Sequence, residues 1–376
     1  MQFEEIIGQE PIKMFLKKNI DNGRIPNTQL FVGPEGCGTL AVALAYAGYL
    51  LAKNHSDPEM VFHNVSRLNH PDVHFVFPTF TNDKIKSKPK SSDFLPAWRD
   101  FVSENPYGGL FDWYQYLESD NKQGEIRVED ANEVAKTLSL KSYEGGYKVL
   151  IVWMADKMNI TVSNRLLKTL EEPNEKTVVI LITENEEDLI QTIRSRCQVV
   201  HFRHLSESEI VERLLSKYSI EPKRAKQIAH QSQGNFNKAV KLIFEDNDPL
   251  FEKWFVSWIR AAFKAKNNPS AIHDLIGFSE VISKQGREAQ KKFISYCLEM
   301  FRQAMLINYQ MPSLVYVETS YQNFKLENFA PFVNGNNIIG IYEELSEAQY
   351  LIERNGNAKI ILTNLSIKLT RLIHKK

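Results

Sequence analysis

Five short, nearly continuous apolar runs constrain this chain more than any other feature: Gln29–Val32, His74–Phe77, Lys148–Met154, Val178–Thr183 and Gln198–Phe202. A strand that alternates apolar and polar residues buries one face, whereas a strand apolar throughout must be covered on both. Helical signals lie between the runs. Leu40–Leu51 is apolar on most faces, and Val128, Ala131, Ala135 and Leu138 recur at helical spacing. Asn159 is placed to cap a helix burying Leu166, Leu167 and Leu170, and Asn185 to cap another with Glu186, Glu187 and Asp188 in its first turn. Strands alternating with helices predict an α/β fold with a five-stranded parallel sheet flanked by helices.

After residue 204 the pattern changes. Ser206 and Glu209 form a capping box, and Ile210, Val211, Leu214, Leu215 and Tyr218 make one helical stripe. Amphipathic helices follow to the end, with no convincing strand. The expected division is a sheet domain over 1–204 carrying an insertion at 79–120, a small helical domain over 205–245, and a larger all-helical domain over 246–376. The insertion begins with Lys84, Lys86, Lys88 and Lys90 and continues through Phe94, Trp98, Phe101, Tyr107, Phe111, Trp113, Tyr114 and Tyr116. Basic residues beside aromatics are one way to bind single-stranded nucleic acid. The plainer reading is a solvated loop followed by helices packed on the sheet edge.

Composition narrows the partners. The 376 residues carry 46 Lys+Arg against 46 Asp+Glu, so no overall basic excess drives nucleic-acid binding. Cys37, Cys197 and Cys297 are scattered, giving no disulfide framework and no Cys-x-x-Cys metal pair, as expected in a reducing cytoplasm. The start of the chain shows no signal-peptide pattern. The longest apolar stretch, about 13 residues, falls short of the roughly 20 that span a bilayer, so no membrane association is expected.

One segment carries chemistry on its face. Gly33-Pro34-Glu35-Gly36-Cys37-Gly38-Thr39-Leu40 lies between an apolar run and a helix, the context of a phosphate-binding P-loop. The glycines are in register with G-x-x-x-x-G-K-[ST]; the last two positions are not. Thr39 stands where a lysine reaches the β/γ-phosphates, and Leu40 where a hydroxyl holds Mg²⁺. Loss of that lysine removes a charged hydrogen bond of roughly 1.5–3 kcal/mol. The third strand repeats the loss. A working P-loop ATPase ends this strand in Asp-Glu, but here Trp153 and Met154 follow it, and neither serves as a hard oxygen ligand or a base. Asp156 comes two residues too late and reads as a cap or a solvent-facing residue. A tight glycine turn without any ligand remains an equal reading of the loop.

Several segments together resemble a known family. Phe3–Gln9 is similar to the opening box of AAA+ clamp-loader subunits, and His70-Pro71-Asp72, preceded by Asn69, to their segment before the second strand. Tyr143–Val149 resembles their entry to the third strand. Asn164-Arg165-Leu166-Leu167-Lys168-Thr169-Leu170-Glu171-Glu172-Pro173 resembles their N-x-L-L-K-x-L-E-E-P helix, and Thr192–Cys197 their T-I-R-S-R-C motif. The resemblance is to delta-prime-type subunits of the bacterial DNA polymerase III clamp loader, and covers residues 3–240 best.

That resemblance implies an AAA+ P-loop domain, a helical lid and a C-terminal helical collar that joins subunits in a ring. On residue type alone, Arg196 is a surface or capping arginine beside Glu186 or Glu187. Within Ser195-Arg196-Cys197 the resemblance implies an arginine finger acting in trans. Lys238 stands at the family's sensor-2 position, and Gly33, Gly36, Gly38 and Thr39 form a degenerate, vestigial nucleotide site. No cofactor is required, ATP or ADP binding is doubtful, and no zinc is expected, because residues 53–69 hold His55 and His63 but no cysteine. Cys37 and Cys197 read as packing residues. Implied partners are tau/gamma and delta clamp-loader subunits, and through them the sliding clamp and primed DNA. The alternatives are an active motor-type ATPase and a single-stranded-DNA-binding module built on the insertion.

Overall fold

The computed structural model describes the chain except residues 83–84, 118–123, 172–174, 245–248, 266–267, 269, 312–313, 316, 318, 320 and 376. Two compact units are present, Met1–Phe244 and Glu245–Lys376.

The first unit runs α1 (Glu10–Asp21), β1 (Thr28–Val32), α2 (Thr39–Ala52), α3 (Pro58–Ser66), β2 (Val73–Val76), α4 (Leu95–Glu104), α5 (Leu110–Tyr116), α6 (Val128–Ser139), β3 (Lys148–Val152), α7 (Ile160–Glu171), β4 (Thr177–Thr183), α8 (Gln191–Arg194) and β5 (Gln198–His201). Three helices complete it: α9 (Glu207–Lys217), α10 (Pro222–Ser232) and α11 (Phe236–Phe244). The segment assigned from sequence to 205–245 therefore supplies helices of this unit. All five strands are parallel, in the order β2-β3-β4-β1-β5.

Alternate side chains of the sheet enter two separate cores. Phe31, Val149, Ile151, Val178 and Ile180 face one core with α2; Leu30, Leu150, Val152, Val179 and Leu181 face the other with Leu166 and Leu170 of α7. This two-sided burial is why the central strands β3 and β4 are apolar at nearly every position. Helix α2 lies inside the first core, with Leu40–Ala47 and Leu50 buried, so its apolar stretch is a core helix. Asn159 Oδ1 accepts the Val162 N–H at 3.0 Å, and Ser206 with Glu209 closes the capping box of α9. Asn185 caps a single 3-10 turn, Glu186–Asp188, because the chain turns back into Leu189 there. The third strand stops at Val152, two residues earlier than its apolar run, and Met154 takes φ +53°.

The insertion packs at the end of the edge strand β2 and reaches over the end of β3 beside it. Trp98, Phe101 and Trp113 pack on Phe77 and on Trp153 at the end of β3; ring centroids are 4.3 Å for Phe77–Trp98 and 5.0 Å for Trp98–Trp153. Trp98 and Trp113 are fully buried.

In the second unit α12 (Pro249–Ala265), α13 (Ala271–Ser283), α14 (Arg287–Asn308), α15 (Leu326–Phe329), α16 (Ile338–Glu353) and α17 (Ala358–Ile373) surround Phe255, Trp258, Phe293 and Phe301. The Trp258 indole donates to Ser366 Oγ at 2.8 Å. Among the described residues, no helix is long and apolar enough to cross a membrane.

The aromatic cluster gives a test. The Trp113 indole donates to the buried Pro78 carbonyl at 2.9 Å, whereas the buried Trp98 indole N–H has no acceptor. Trp113→Phe strands that carbonyl and should cost about 1–3 kcal/mol beyond the lost ring area. Trp98→Phe removes an unsatisfied donor and should cost measurably less, as read by urea denaturation of the full chain.

Candidate functional site

The glycine loop turns from β1 into α2 through two left-handed glycines, Gly36 at φ +72° and Gly38 at φ +96°. The backbone of Gly36 lies so close to α11 that a Cβ there would sit 1.9 Å from Asn235 Oδ1. Such a loop with a helix N-terminus behind it can hold phosphate. Here the chain fills the space itself. The pocket lined by Gly33, Gly36, Gly38, Thr39, Tyr107 and Trp153 leaves about 20 Å³. That is room for one or two waters.

Tyr107, from the insertion, provides much of the filling. A Cβ at Gly38 would lie 2.9 Å from its ring, and its hydroxyl accepts the Ile7 N–H at 3.0 Å. Burial pushes its phenol up to about 12. Trp153 and Met154 line the same pocket, together with two carboxylates, Glu35 and Glu184. Burial, then the charges of Glu35 and Asp156, hold the Glu184 carboxyl above its usual range. Asp156 does not face solvent: its side chain pairs with Lys157 at 2.7 Å and accepts the Thr183 hydroxyl at 3.0 Å.

A polar network ties loop, insertion and lid helix together. The Phe236 N–H donates to the Gly36 carbonyl at 3.2 Å. Asn235 Nδ2 and Asn237 Nδ2 donate to Glu35 Oε1 at 3.2 and 3.1 Å, and Asn237 Nδ2 also to Asp112 at 2.6 Å. Asn105 Nδ2 donates to Asn237 Oδ1 at 2.7 Å, and Lys241 pairs with Asp112. Lys238 is exposed on α11 and lies outside the pocket lining; its backbone N–H is held by Asn235 Oδ1 at 2.9 Å. Sequence reasoning singled out Lys238 and missed Glu35, Tyr107, Asn235 and Asn237. The two asparagines flanking Phe236 were the one available signal, because small amides at a helix start commonly make local hydrogen bonds. Nothing local marks Tyr107, whose contacts are a hundred residues away in the chain.

Arg196 lies at the other end of the sheet. Ser195-Arg196-Cys197 continues α8 by overlapping turns and enters β5, the edge strand, at its N-terminal end. Gln198 pairs beside Gln29, and His201 beside Val32 next to the glycine loop. At about 3.3 Å per residue, the strand separates the arginine from its own loop by roughly 13 Å along the sheet. The guanidinium is exposed and donates to the Thr192 carbonyl at 2.9 Å. Ser195 Oγ donates to the same carbonyl at 3.2 Å, and Cys197 Sγ contacts the Ile193 carbonyl at 3.2 Å. Burial pushes both Cys37 and Cys197 up to about 12, so both stay thiols and pack.

The insertion's charges and rings are largely committed. Lys90 pairs with Glu133 at 3.0 Å and Lys88 with Glu129 at 3.6 Å, both acids on α6. Lys84 lies outside the described residues. Phe94, Trp98, Phe101, Tyr107 and Trp113 are buried, and Phe111 and Tyr116 are exposed.

Among the described residues, one cluster has metal-ligand composition: His70, Asp72 and Glu144, with His55 beside them. Both Asp72 oxygens accept backbone N–H groups, of Tyr143 at 2.7 Å and Glu144 at 3.0 Å. His70 Nδ1 accepts the Asp72 N–H at 3.2 Å, so the neutral ring carries its proton on Nε2, facing Glu144 Oε2 at 3.2 Å. The two groups are close, but among the described residues His70 Nε2 meets no acceptor at hydrogen-bond geometry.

A parallel sheet in this order, a glycine loop entering a helix after its first strand and a helical lid resting on that loop define an AAA+ P-loop domain. Residues 8–206 match the family described as "DNA polymerase III, delta subunit", and the chain belongs to that family. It is 28% identical over 242 residues to the DNA polymerase III subunit delta' of Bacillus subtilis, covering 63% of this chain and 60% of that protein. It is 37% identical over 84 residues to the delta' subunit of Pseudomonas aeruginosa, covering 22% and 26%. The match therefore spans less than two thirds of either relative. Against the tau subunit of Escherichia coli it is 26% identical over 64% of this chain and 32% of that one. Among solved structures, the Thermotoga maritima RuvB Holliday junction branch migration motor aligns over 84% of this chain and 87% of that one, at 16% identity and a TM-score of 0.40.

Two buried histidines make stability pH-dependent. Burial holds His70 and His74 below their ordinary 6.5, against the pull of nearby carboxylates. The unfolded chain then binds more protons than the folded chain just below pH 6.5. Stability is full above that pH and falls as pH drops, by at most about 1.4 kcal/mol per pH unit for each ring. Urea midpoints measured between pH 7.5 and pH 5 should fall, and His70→Asn should flatten part of the slope.

Proposed function

We propose that this chain is a non-hydrolysing, delta-prime-type clamp-loader subunit of DNA polymerase III that lends Arg196 to the ATP site of a neighbouring subunit. One observation carries the reading: Arg196 is exposed at the end of the sheet away from the chain's own glycine loop, while that loop is filled by Tyr107, Trp153 and two carboxylates. A guanidinium set against transferring phosphate oxygens stabilises charge that develops in the transition state, an effect of about 10³–10⁵ in rate. That corresponds to roughly 4–7 kcal/mol of barrier. The site it serves belongs to a tau/gamma-type motor subunit, whose own lysine, Mg²⁺ and carboxylates do the rest. The chain's contribution is a fixed cation, held by the turn that joins α8 to β5.

The remaining parts fit that role. The network through Glu35, Asn235, Asn237 and Asp112 holds the lid helix on the glycine loop without a nucleotide, favouring a rigid subunit. The helical unit from residue 245 onward is the proposed collar for ring assembly with tau/gamma and delta subunits. The assembly opens the sliding clamp and places it on primed DNA in the cytoplasm. An active motor-type ATPase is disfavoured by the filled, acidic pocket. A single-strand-binding insertion is disfavoured by its paired lysines and buried rings.

Two measurements test the proposal. Arg196→Ala should abolish turnover at the neighbouring site and depress clamp loading by the reconstituted assembly, while native mass spectrometry shows the assembly intact. Unchanged loading removes the assigned role. The isolated wild-type chain should bind Mg²⁺-ATP more weakly than about 1 mM in equilibrium dialysis.

A further inference from the structure

Four side chains from three distant segments meet at the amino edge of the sheet. His55 follows α2, His70 and Asp72 lead into β2, and Glu144 stands in the turn before β3. One ligand atom from each of His70, Asp72 and Glu144 lies within 4.8 Å of the other two. Two imidazole nitrogens approach a single carboxylate oxygen, Glu144 Oε2: His70 Nε2 at 3.2 Å and His55 Nε2 at 3.4 Å.

Those separations are what a shared cation sets. Nitrogen and oxygen ligands at about 2.0–2.2 Å from a tetrahedral zinc stand roughly 3.3 Å apart. Ligands of one cation point at the cation and not at each other, so they come close without hydrogen-bonding. His70 behaves in this way. Its side chain is wholly buried, and its Nε2 faces Glu144 at 3.2 Å, yet among the described residues that nitrogen has no hydrogen-bond partner. Buried polar groups are normally paired, and a cation between the two groups supplies the missing partner. The other members are held for the task. Both Asp72 oxygens accept backbone N–H groups and keep lone pairs to spare. His55 Nδ1 lies 3.0 Å from the Asp57 carbonyl, the kind of contact that orients a metal-bound ring. Without a cation, His70 Nδ1 accepts the Asp72 N–H at 3.2 Å and Nε2 carries the ring proton. Metal binding at Nε2 moves that proton to Nδ1 and gives up the 3.2 Å contact, which keeps the affinity moderate.

We propose that His55, His70, Asp72 and Glu144 bind one divalent transition-metal ion of the zinc class as a structural site. Two imidazoles with two carboxylates suit zinc, whereas magnesium and calcium take oxygen ligands. Four protein ligands leave no open position for chemistry. The ion would tie the segment after α2 to the starts of β2 and β3 and raise the melting temperature of the first unit. His63 takes no part, so the spacing of histidines in residues 53–69 does not reveal the site; Glu144 arrives from far along the chain. The site lies at the edge of the sheet away from the glycine loop, and the inference does not rest on the role given to Arg196.

Titration of the EDTA-stripped full chain tests it, with Zn²⁺ by calorimetry and with Co²⁺ by absorption. The expected result is one ion per chain with a dissociation constant on the order of 1 µM. The Co²⁺ form should show the strong visible bands of a four-coordinate ion and no near-ultraviolet thiolate band from the three cysteines. Glu144→Gln and His55→Ala leave the buried His70 in place. Each should weaken Zn²⁺ binding tenfold or more and remove the Zn²⁺-dependent rise in melting temperature. Absence of saturable binding overturns the proposal. So does a thiolate band in the Co²⁺ spectrum, or a loss of affinity smaller than tenfold in either variant.

Discussion

The packing of Trp153 against the insertion is the contact on which the rest of the first unit depends. An indole at the end of β3 cannot be left in water at the carboxyl edge of a parallel sheet, where it would expose a large apolar face. Trp98 and Phe101 pack on it, backed by Phe77 and Trp113, and Trp153 is buried. Once α4 and α5 are drawn over that edge, the segment between them, which includes Tyr107, lies across the glycine loop. The aromatic at the end of β3 and the filled pocket are thus one structural event: the residue that ends the strand also draws in the covering that closes the cleft.

Closing the cleft changes what holds the lid. In a nucleotide-binding domain of this architecture the ligand bridges the loop and the helices after the sheet. Here Glu35, Asn235, Asn237 and Asp112 make that bridge with neutral amides between two carboxylates, and the Phe236 N–H caps onto the Gly36 carbonyl. Asn237 is almost fully buried, where unpaired polar groups are costly, so the network is a specific latch and not a solvated coincidence. A latch made within the chain does not open when a phosphate leaves.

The sheet separates the two ends of the molecule's chemistry. Parallel strands put every carboxyl edge on one side, where the glycine loop lies, and every amino edge on the other, where Ser195-Arg196-Cys197 enters β5. The exposed arginine at the amino edge is separated from its own loop by the length of the strand. The left-handed Met154 at the carboxyl edge belongs to the other side of this division, where backbone strain accompanies the remodelled strand end.

Local chemistry alone specified a good deal of this. Apolar strands had to be buried on both faces, which fixed a parallel sheet; glycines in register fixed the loop; and Asn159, Ser206 and Glu209 fixed helix starts. These are properties of neighbours in the chain, legible from spacing. Tertiary structure decided the rest. It alone brought Tyr107 over Gly38, turned Asp156 inward onto Lys157 and Thr183, and paired Lys88 and Lys90 with acids of α6. Each of those depends on residues tens to hundreds of positions apart meeting in space, and no periodicity or motif records which distant side chain will fill a gap that the sheet leaves open.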